Sequence, residues 1–437
     1  MNTDVNRRAF MKAAGAVSAV ASVGFGARSA EAQTDKPVRV GVVGVGSRGS
    51  YLTKVLMSIE GVEIAALCDI NQDNLAKTQK VVVDAGMKKP EGYSRGPWDF
   101  KRLCDRDDLD AVVTATPWEF HTPVAVAAMK AGKYAATEVP AAVTLDQCWE
   151  LVETSESTRM PCMMLENVNY FKNVMMVLNM IRQNLFGELL HCEAGYQHDV
   201  RFVKFDKEGN LLWRGKHSVT RNGNLYPTHP IGPIAWWLDI NRGNRFTYLV
   251  SMSTQSRGLN HEIEEKFGPD HPSAKKRYSL GDINVTLIKT HNGPTVTLYH
   301  DTQSPRPYDL IFRVQGIKGI YSGTLNQIYI HGRSPKEHTW EDIAPYEKEF
   351  EHPMWKTLGP VAQNYGHGGG DFMEIHQFIK AVRNRTQTPE DVYDAATWSV
   401  ISALSEQSVA NKSEPVDFPD FTRGKWMTNP PIGIVDA

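Results

Sequence analysis

The sequence predicts an α/β protein: an N-terminal Rossmann-type, doubly wound parallel sheet followed by an α+β half with an open, mostly antiparallel sheet. Three observations carry this. An apolar strand runs straight into a glycine-rich turn over residues 38–49. Short apolar strands then alternate with helical stretches to about residue 165. Beyond residue 184 the apolar residues fall instead into longer alternating runs.

In the first half, strand-like runs at 38–43, 63–68, 111–115, 134–136 and 162–165 are separated by helix-like segments at 51–59, 71–85, 122–131 and 145–156. Strands alternating with helices of this length make a parallel sheet. A helix near 171–184 leads to alternating runs at 189–197, 246–254, 284–290, 295–300 and 310–315, with turn pairs such as Asn292-Gly293. Helical stretches at 371–383 and 392–409 close the chain and are expected to pack back on the body. The expected division is 37–165 for a nucleotide-binding domain and 166–437 for a substrate and catalytic domain.

The turn reads Gly44-Val45-Gly46-Ser47-Arg48-Gly49, a G-x-G-x-x-G that leaves a strand and opens a helix. There Gly44 permits the tight turn, Gly46 lets a pyrophosphate approach the backbone, and the helix offers it N-terminal amides. About 20 residues on, Asp69 ends the second strand. A carboxylate at that point accepts hydrogen bonds from the adenosine ribose and repels a 2′-phosphate, so NAD is expected rather than NADP. The bland alternative for Asp69 is a solvated turn residue.

Ahead of this unit, Asn6-Arg7-Arg8-Ala9-Phe10-Met11-Lys12 carries a twin arginine, an apolar run extends to Phe25, and Ala30-Glu31-Ala32 makes a small-residue cleavage site before Gln33. Residues 1–32 read as a twin-arginine signal peptide. The expected destination is the periplasm or the exterior, reached folded through the twin-arginine translocase. The apolar run is too short to span a membrane and no later run approaches about 20 apolar residues, so no stable membrane anchor is expected. NAD is recycled in the cytoplasm. An exported enzyme that released NADH each turnover would be stranded, whereas one ending each cycle with its NAD unchanged would not.

Composition removes other classes. A formal net charge of -2 leaves no basic surface for nucleic acid. The 5 cysteines show no C-x-x-C spacing and read as buried free thiols, and no metal site is expected.

Pro117-Trp118-Glu119-Phe120-His121 follows the 111–115 strand at the carboxyl edge of the sheet, where His121 reads as a wall or helix-start residue in preference to a base. Glu138 ends the next strand in Thr137-Glu138-Val139-Pro140. Here the chain resembles the glucose-fructose oxidoreductase and inositol dehydrogenase family, whose strand ends Glu-Lys-Pro with a catalytic lysine. This sequence has Val139 in its place, which counts against an ordinary sugar or polyol dehydrogenase.

Glu166-Asn167-Val168-Asn169-Tyr170, Phe186-Gly187-Glu188-Leu189, Gly195-Tyr196-Gln197-His198-Asp199, Tyr226-Pro227-Thr228-His229, Asp239-Ile240-Asn241-Arg242-Gly243-Asn244-Arg245, Arg306-Pro307-Tyr308 and Asp420-Phe421-Thr422-Arg423-Gly424-Lys425-Trp426 together resemble glycoside hydrolase family 109. That family comprises NAD-dependent α-N-acetylgalactosaminidases with an oxidoreductase-like fold. The resemblance implies a redox-neutral hydrolysis: oxidation at C3, loss of the C2 proton, elimination of the C1 substituent, addition of water and re-reduction. By carry-over it assigns NAD contacts to Ser47, Arg48, Asp69, Trp118, Glu119, Phe120, His121, Glu138, Val139, Asn167 and Tyr226. Sugar contacts fall to Tyr196, Arg214, Tyr226, Pro227, Thr228, His229 and Tyr308. Tyr170 and His229 are the candidates for proton transfer, each with packing as its alternative, and a basic Tyr170 needs a positive charge beside it. The Gly366-His367-Gly368-Gly369-Gly370 stretch reads equally as a lid or a linker. The expected partner is a small-molecule glycoside, with self-association left open. A non-enzymatic sugar-binding protein with NAD as a structural prop is the third class.

Overall fold

Strand β1 (Val38–Val43) is apolar along almost its whole length because it lies inside a sheet covered on both faces. The structure, a computed structural model, describes residues 36–432; the expected signal peptide with Arg7 and Arg8 lies outside the described residues. From β1 the chain alternates through α1 (Ser47–Met57), β2 (Val62–Cys68), α2 (Gln72–Asp84), β3 (Glu91–Tyr93), α3 (Phe100–Cys104), β4 (Ala111–Thr114), α4 (His121–Lys130), β5 (Tyr134–Thr137), α5 (Leu145–Thr158) and β6 (Cys162–Met164). Its 6 strands are parallel in the order β3-β2-β1-β4-β5-β6. The order reverses between β1 and β4, which opens a crevice above their carboxyl ends.

The second half runs α6 (Lys172–Arg182), β7 (Leu189–Gln197), α7 (Trp213–Thr220), α8 (Thr228–Trp237), β8 (Phe246–Ser253), α9 (Gly258–Phe267), β9 (Ile283–Thr290), β10 (Thr295–Asp301), β11 (Arg313–Gly316), β12 (Gly319–Ser322), β13 (Gln327–Ile330) and β14 (Glu341–Asp342). It ends with α10 (Ala344–Phe350), α11 (Pro353–Ala362), α12 (Gly370–Asn384), α13 (Val392–Ser399), α14 (Ile401–Ala410) and β15 (Val416–Asp417). The 9 strands order as β14-β13-β12-β11-β7-β10-β9-β8-β15. Every described pairing is antiparallel except β7 with β10. Helices α8 and α14 pack on this sheet, and alternation on β9 follows: Asn284, Thr286 and Ile288 are buried, whereas Ile283 and Leu287 are exposed.

One apolar core runs through both sheets. The terminal helices do pack back, α12 on α1 and β1, α13 on α5 and β6. A satellite cluster of Phe205, Leu259, Ile263 and Tyr278 builds a small lobe from the segments after β7 and β8. All five cysteines are buried and free.

Candidate active site

The glycine turn shows three different reasons for glycine. Gly44 has φ +80°, and a Cβ there would stand 2.8 Å from the Ala115 carbonyl carbon. A Cβ on Gly49 would stand 1.8 Å from the Gly44 carbonyl oxygen, so helix α1 closes against the turn only without a side chain. Gly46, at φ -66°, would meet nothing nearer than Asn74 Nδ2 at 3.8 Å. The space beside Gly46 is what a pyrophosphate needs, and α1 starts there without a side-chain cap. At the end of β2, Asp69 accepts from the Val45 and Asn71 amides, both at 2.8 Å, with a lone pair on each oxygen left for ribose hydroxyls.

Arg48 draws this edge together. Its Nε donates to Glu138 at 2.5 Å, and its Nη2 lies 2.9 Å from Asp371 and 3.5 Å from Glu374, both on α12. Asn167 Nδ2 donates to Asp371 at 2.7 Å, and His367 Nδ1 lies 2.7 Å from the other oxygen of that carboxylate. Burial opposes ionisation of Asp371, yet His367 and Arg48 hold it at about 2. Glu374 goes the other way: burial, then the neighbouring Asp371, push it well above the carboxylate range, and neither of its oxygens has a hydrogen-bond partner. Arg48 Nη1 and Asn167 Oδ1 are also buried without a partner. Unpartnered buried polar atoms are rare. Their position beside the open Gly46 turn fits a dinucleotide.

Trp118 stacks on Tyr226 at 5.6 Å, with Arg214 poised over both rings and over Trp213 at 5.1 to 5.4 Å. Arg214 has no carboxylate partner among the described residues, and its Nε is buried and unsatisfied. Tyr196 packs against Tyr226 and His229 at 4.6 and 5.4 Å, and Tyr308 closes the group through His198 at 4.7 Å. His229 Nδ1 lies 2.5 Å from Glu166 Oε1, and that carboxylate is wholly buried. With Nδ1–H donated to Glu166, Nε2 is free to take a proton. Thr228 and Pro227 are buried where α8 begins and set the direction of His229.

The structure thus brings His229, Tyr196, Tyr226, Arg214, Trp118 and Tyr308 into one group, and Ser47, Arg48, Asp69, Glu138 and Asn167 into another beside it. Tyr170 is not brought to either. It is fully buried, its hydroxyl donates to Glu390 at 2.7 Å, and its ring meets Trp236 edge-on at 5.5 Å, two turns along α8 from His229. Burial, then the charge of Glu390, raise its pKa well above that of a free phenol, the reverse of what a base needs. Phe120 packs on Trp98, and the exposed Glu119 pairs with His217. His121 is buried with its ring nitrogens 2.7 and 2.8 Å from the Pro140 and Thr116 carbonyl oxygens, so it ties loops together at the start of α4. Val139 is buried, leaving no cation at the position of the oxidoreductase lysine. Glu166, Asp371, Glu374 and Glu390 were not anticipated as partners. Only the run Glu166 to Tyr170 offered a signal.

Residues 170–428 match the family description "Glycosyl hydrolase 109, C-terminal domain", and residues 38–165 match "Oxidoreductase family, NAD-binding Rossmann fold". The chain is 46% identical over 418 residues to an α-N-acetylgalactosaminidase of Tannerella forsythia, covering 91% of this chain and 89% of that one. It is 43% identical to a glycosyl hydrolase family 109 protein of Stenotrophomonas maltophilia strain K279a, covering 99% of each. Among solved structures, a levoglucosan dehydrogenase complex with NADH superposes with a TM-score of 0.68 at 20% identity, covering 88% of this chain and 100% of that one. A myo-inositol dehydrogenase from Lactobacillus casei, in complex with NAD(H) and myo-inositol, gives 0.62 at 17% identity, covering 88% and 97%. At such identities the likeness is one of fold.

Proposed function

The chain belongs to glycosyl hydrolase family 109, and from that membership and the site's geometry we propose that it removes terminal, α-linked N-acetylgalactosamine from glycosides with NAD retained as cofactor. The observation that carries this reading is the His229–Glu166 pair facing the Tyr196, Tyr226 and Arg214 group beside the nucleotide turn.

When bound, NAD supplies a reversible hydride acceptor at sugar C3, which acidifies C2–H and makes elimination of the C1 substituent feasible. The nucleotide would be held by the α1 amides and Asp69, with Arg48, Glu138 and Asn167 lining the same edge. His229 Nε2 takes a proton from the sugar and returns it, steadied by the Glu166 carboxylate on Nδ1. Arg214, unpaired and over aromatic faces, meets negative charge as it develops on a sugar oxygen. Tyr170 holds the floor beneath α8 through Glu390. A sugar dehydrogenase is the second reading; the solved oxidoreductases share the fold alone, and the absence of a cation at Val139 speaks against it.

The twin arginine at Arg7 and Arg8 supports export by the twin-arginine translocase to the periplasm or the exterior. The hydrolytic reading is tested with purified protein, 4-nitrophenyl N-acetyl-α-galactosaminide and no added cofactor. We expect release of nitrophenol and, in deuterated water, deuterium at C2 of the sugar. A product with hydrogen alone at C2, from a C2-deuterated substrate that also keeps its label, removes the redox-elimination route.

A further inference from the structure

Resting on the glycosidase reading, we infer that His198 is a positioning residue of the sugar site: it accepts the Tyr196 O–H in a hydrogen bond and so leaves the phenol oxygen to accept from a sugar hydroxyl. The run Gly195-Tyr196-Gln197-His198-Asp199 gave a role to Tyr196 alone.

His198 follows the last residue of β7 and stands two positions after Tyr196, so the pleat puts both side chains on one face. Its Nδ1 lies 3.1 Å from the Tyr196 hydroxyl, and its ring meets that of Tyr308 edge-on at 4.7 Å. The imidazole therefore stands between two tyrosines of the sugar site. Its backbone is anchored on both sides. The His198 N–H donates to the Asp301 carbonyl on β10 at 2.9 Å. Next to it, Asp199 accepts from Arg201 Nε and Nη2 at 2.9 and 2.8 Å, and Arg201 Nη1 reaches Glu262 on α9 at 2.8 Å.

Protonation states set the direction of the bond. Burial pushes the Tyr196 phenol up to about 12, so it keeps its proton at any working pH. Burial also lowers His198, with Asp199 opposing the effect and His229, Arg214 and His367 adding to it, so the ring is neutral at pH 7. A neutral imidazole has one acceptor nitrogen and one donor. The Tyr196 hydroxyl has no other hydrogen-bond partner among the described residues. With Nδ1 as acceptor the phenol proton is satisfied and the ring proton sits on Nε2; the other tautomer would leave the phenol proton with no acceptor in the protein. The bond also fixes the rotation of a hydroxyl that is otherwise free to turn.

The test is a double-mutant cycle on NAD-bound protein with 4-nitrophenyl N-acetyl-α-galactosaminide. His198→Phe keeps a ring against Tyr308 but removes the acceptor, and His198→Asn restores an acceptor at the place of Nδ1. We expect His198→Phe to raise KM roughly fivefold, the worth of one neutral hydrogen bond, with kcat little changed. His198→Asn should recover most of that loss. In Tyr196→Phe protein, which has no hydroxyl to hold, His198→Phe should raise KM no further. NAD content and thermal midpoint report folding, and His198→Ala takes the place of His198→Phe in the cycle if the latter does not fold. Wild type that cleaves nothing overturns the glycosidase reading and this inference with it. If wild type cleaves the glycoside, then an unchanged KM in His198→Phe, no recovery in His198→Asn, or losses that multiply in the double variant overturn the His198 assignment alone.

Discussion

A histidine that takes a proton from a sugar and gives it back needs one ring nitrogen held and the other free. Glu166 supplies the hold: it is wholly buried, 2.5 Å from His229 Nδ1, and its second oxygen is unpartnered. Glu166→Gln keeps an acceptor for Nδ1–H but replaces the carboxylate beside the ring with a neutral amide. We expect kcat to fall by roughly 10²-fold, with KM and NAD content little changed. Steady-state kinetics beside a cofactor assay on the denatured supernatant measure this, and an unaltered kcat would return Glu166 to a packing role. That His229 and Tyr196 come together was legible because the motifs that carry them resemble a family; Arg214 came with the same resemblance but lies in none of those motifs. Glu166 was legible only as part of a motif, since its partner lies on a helix that begins more than sixty residues later. The structure places the Tyr170 hydroxyl on Glu390, and in sequence a tyrosine opening a helix looks the same whether its hydroxyl faces a sugar or a buried carboxylate.

At the scale of elements, α1 and its glycine turn separate folding from binding. Gly46 has an ordinary φ of -66° and open space at its Cβ position, so Gly46→Ala should fold normally and lose NAD affinity by tenfold or more. Gly49→Ala places a Cβ 1.8 Å from the Gly44 oxygen and must push α1 off the turn, at a cost of about 1–3 kcal/mol or more. Denaturant midpoints beside NAD titrations distinguish the two, and equal stability of both variants would contradict this geometry. The same turn was the most legible part of the sequence because strand, glycines and Asp69 are local. Elements that depend on distant partners were harder to read. β3 has only one buried residue, so no apolar run announced it. The run expected at 310–315 yields strand only from Arg313, because Ile311 and Phe312 take positive φ. The stretch 392–409 is two helices abutting at Val400.

For the whole molecule, holding NAD depends on both ends of the described chain. Arg48 in the first helix is bonded to Glu138 at the end of β5 and to Asp371 on α12, while Asn167 meets the same aspartate. The nucleotide edge is therefore finished by a helix that follows β14 in the chain, with only β15 of the second sheet still to come, and the chain from Pro37 forms one compact unit. A cofactor held this way is expected to leave slowly from native protein, as the proposed export of folded protein with its NAD would require. Protein purified without added nucleotide should carry NAD. In a guanidinium titration, loss of NAD and loss of helical signal should coincide in one transition. Stripped protein should unfold earlier, and NAD at a hundred times its Kd should restore about 2.7 kcal/mol. Isotope dilution for the nucleotide beside circular dichroism measures both curves. NAD that dialyses from native protein with no change in the unfolding midpoint would show that the α12 contacts do not retain it, and an exported enzyme would then need a supply of NAD outside the cytoplasm.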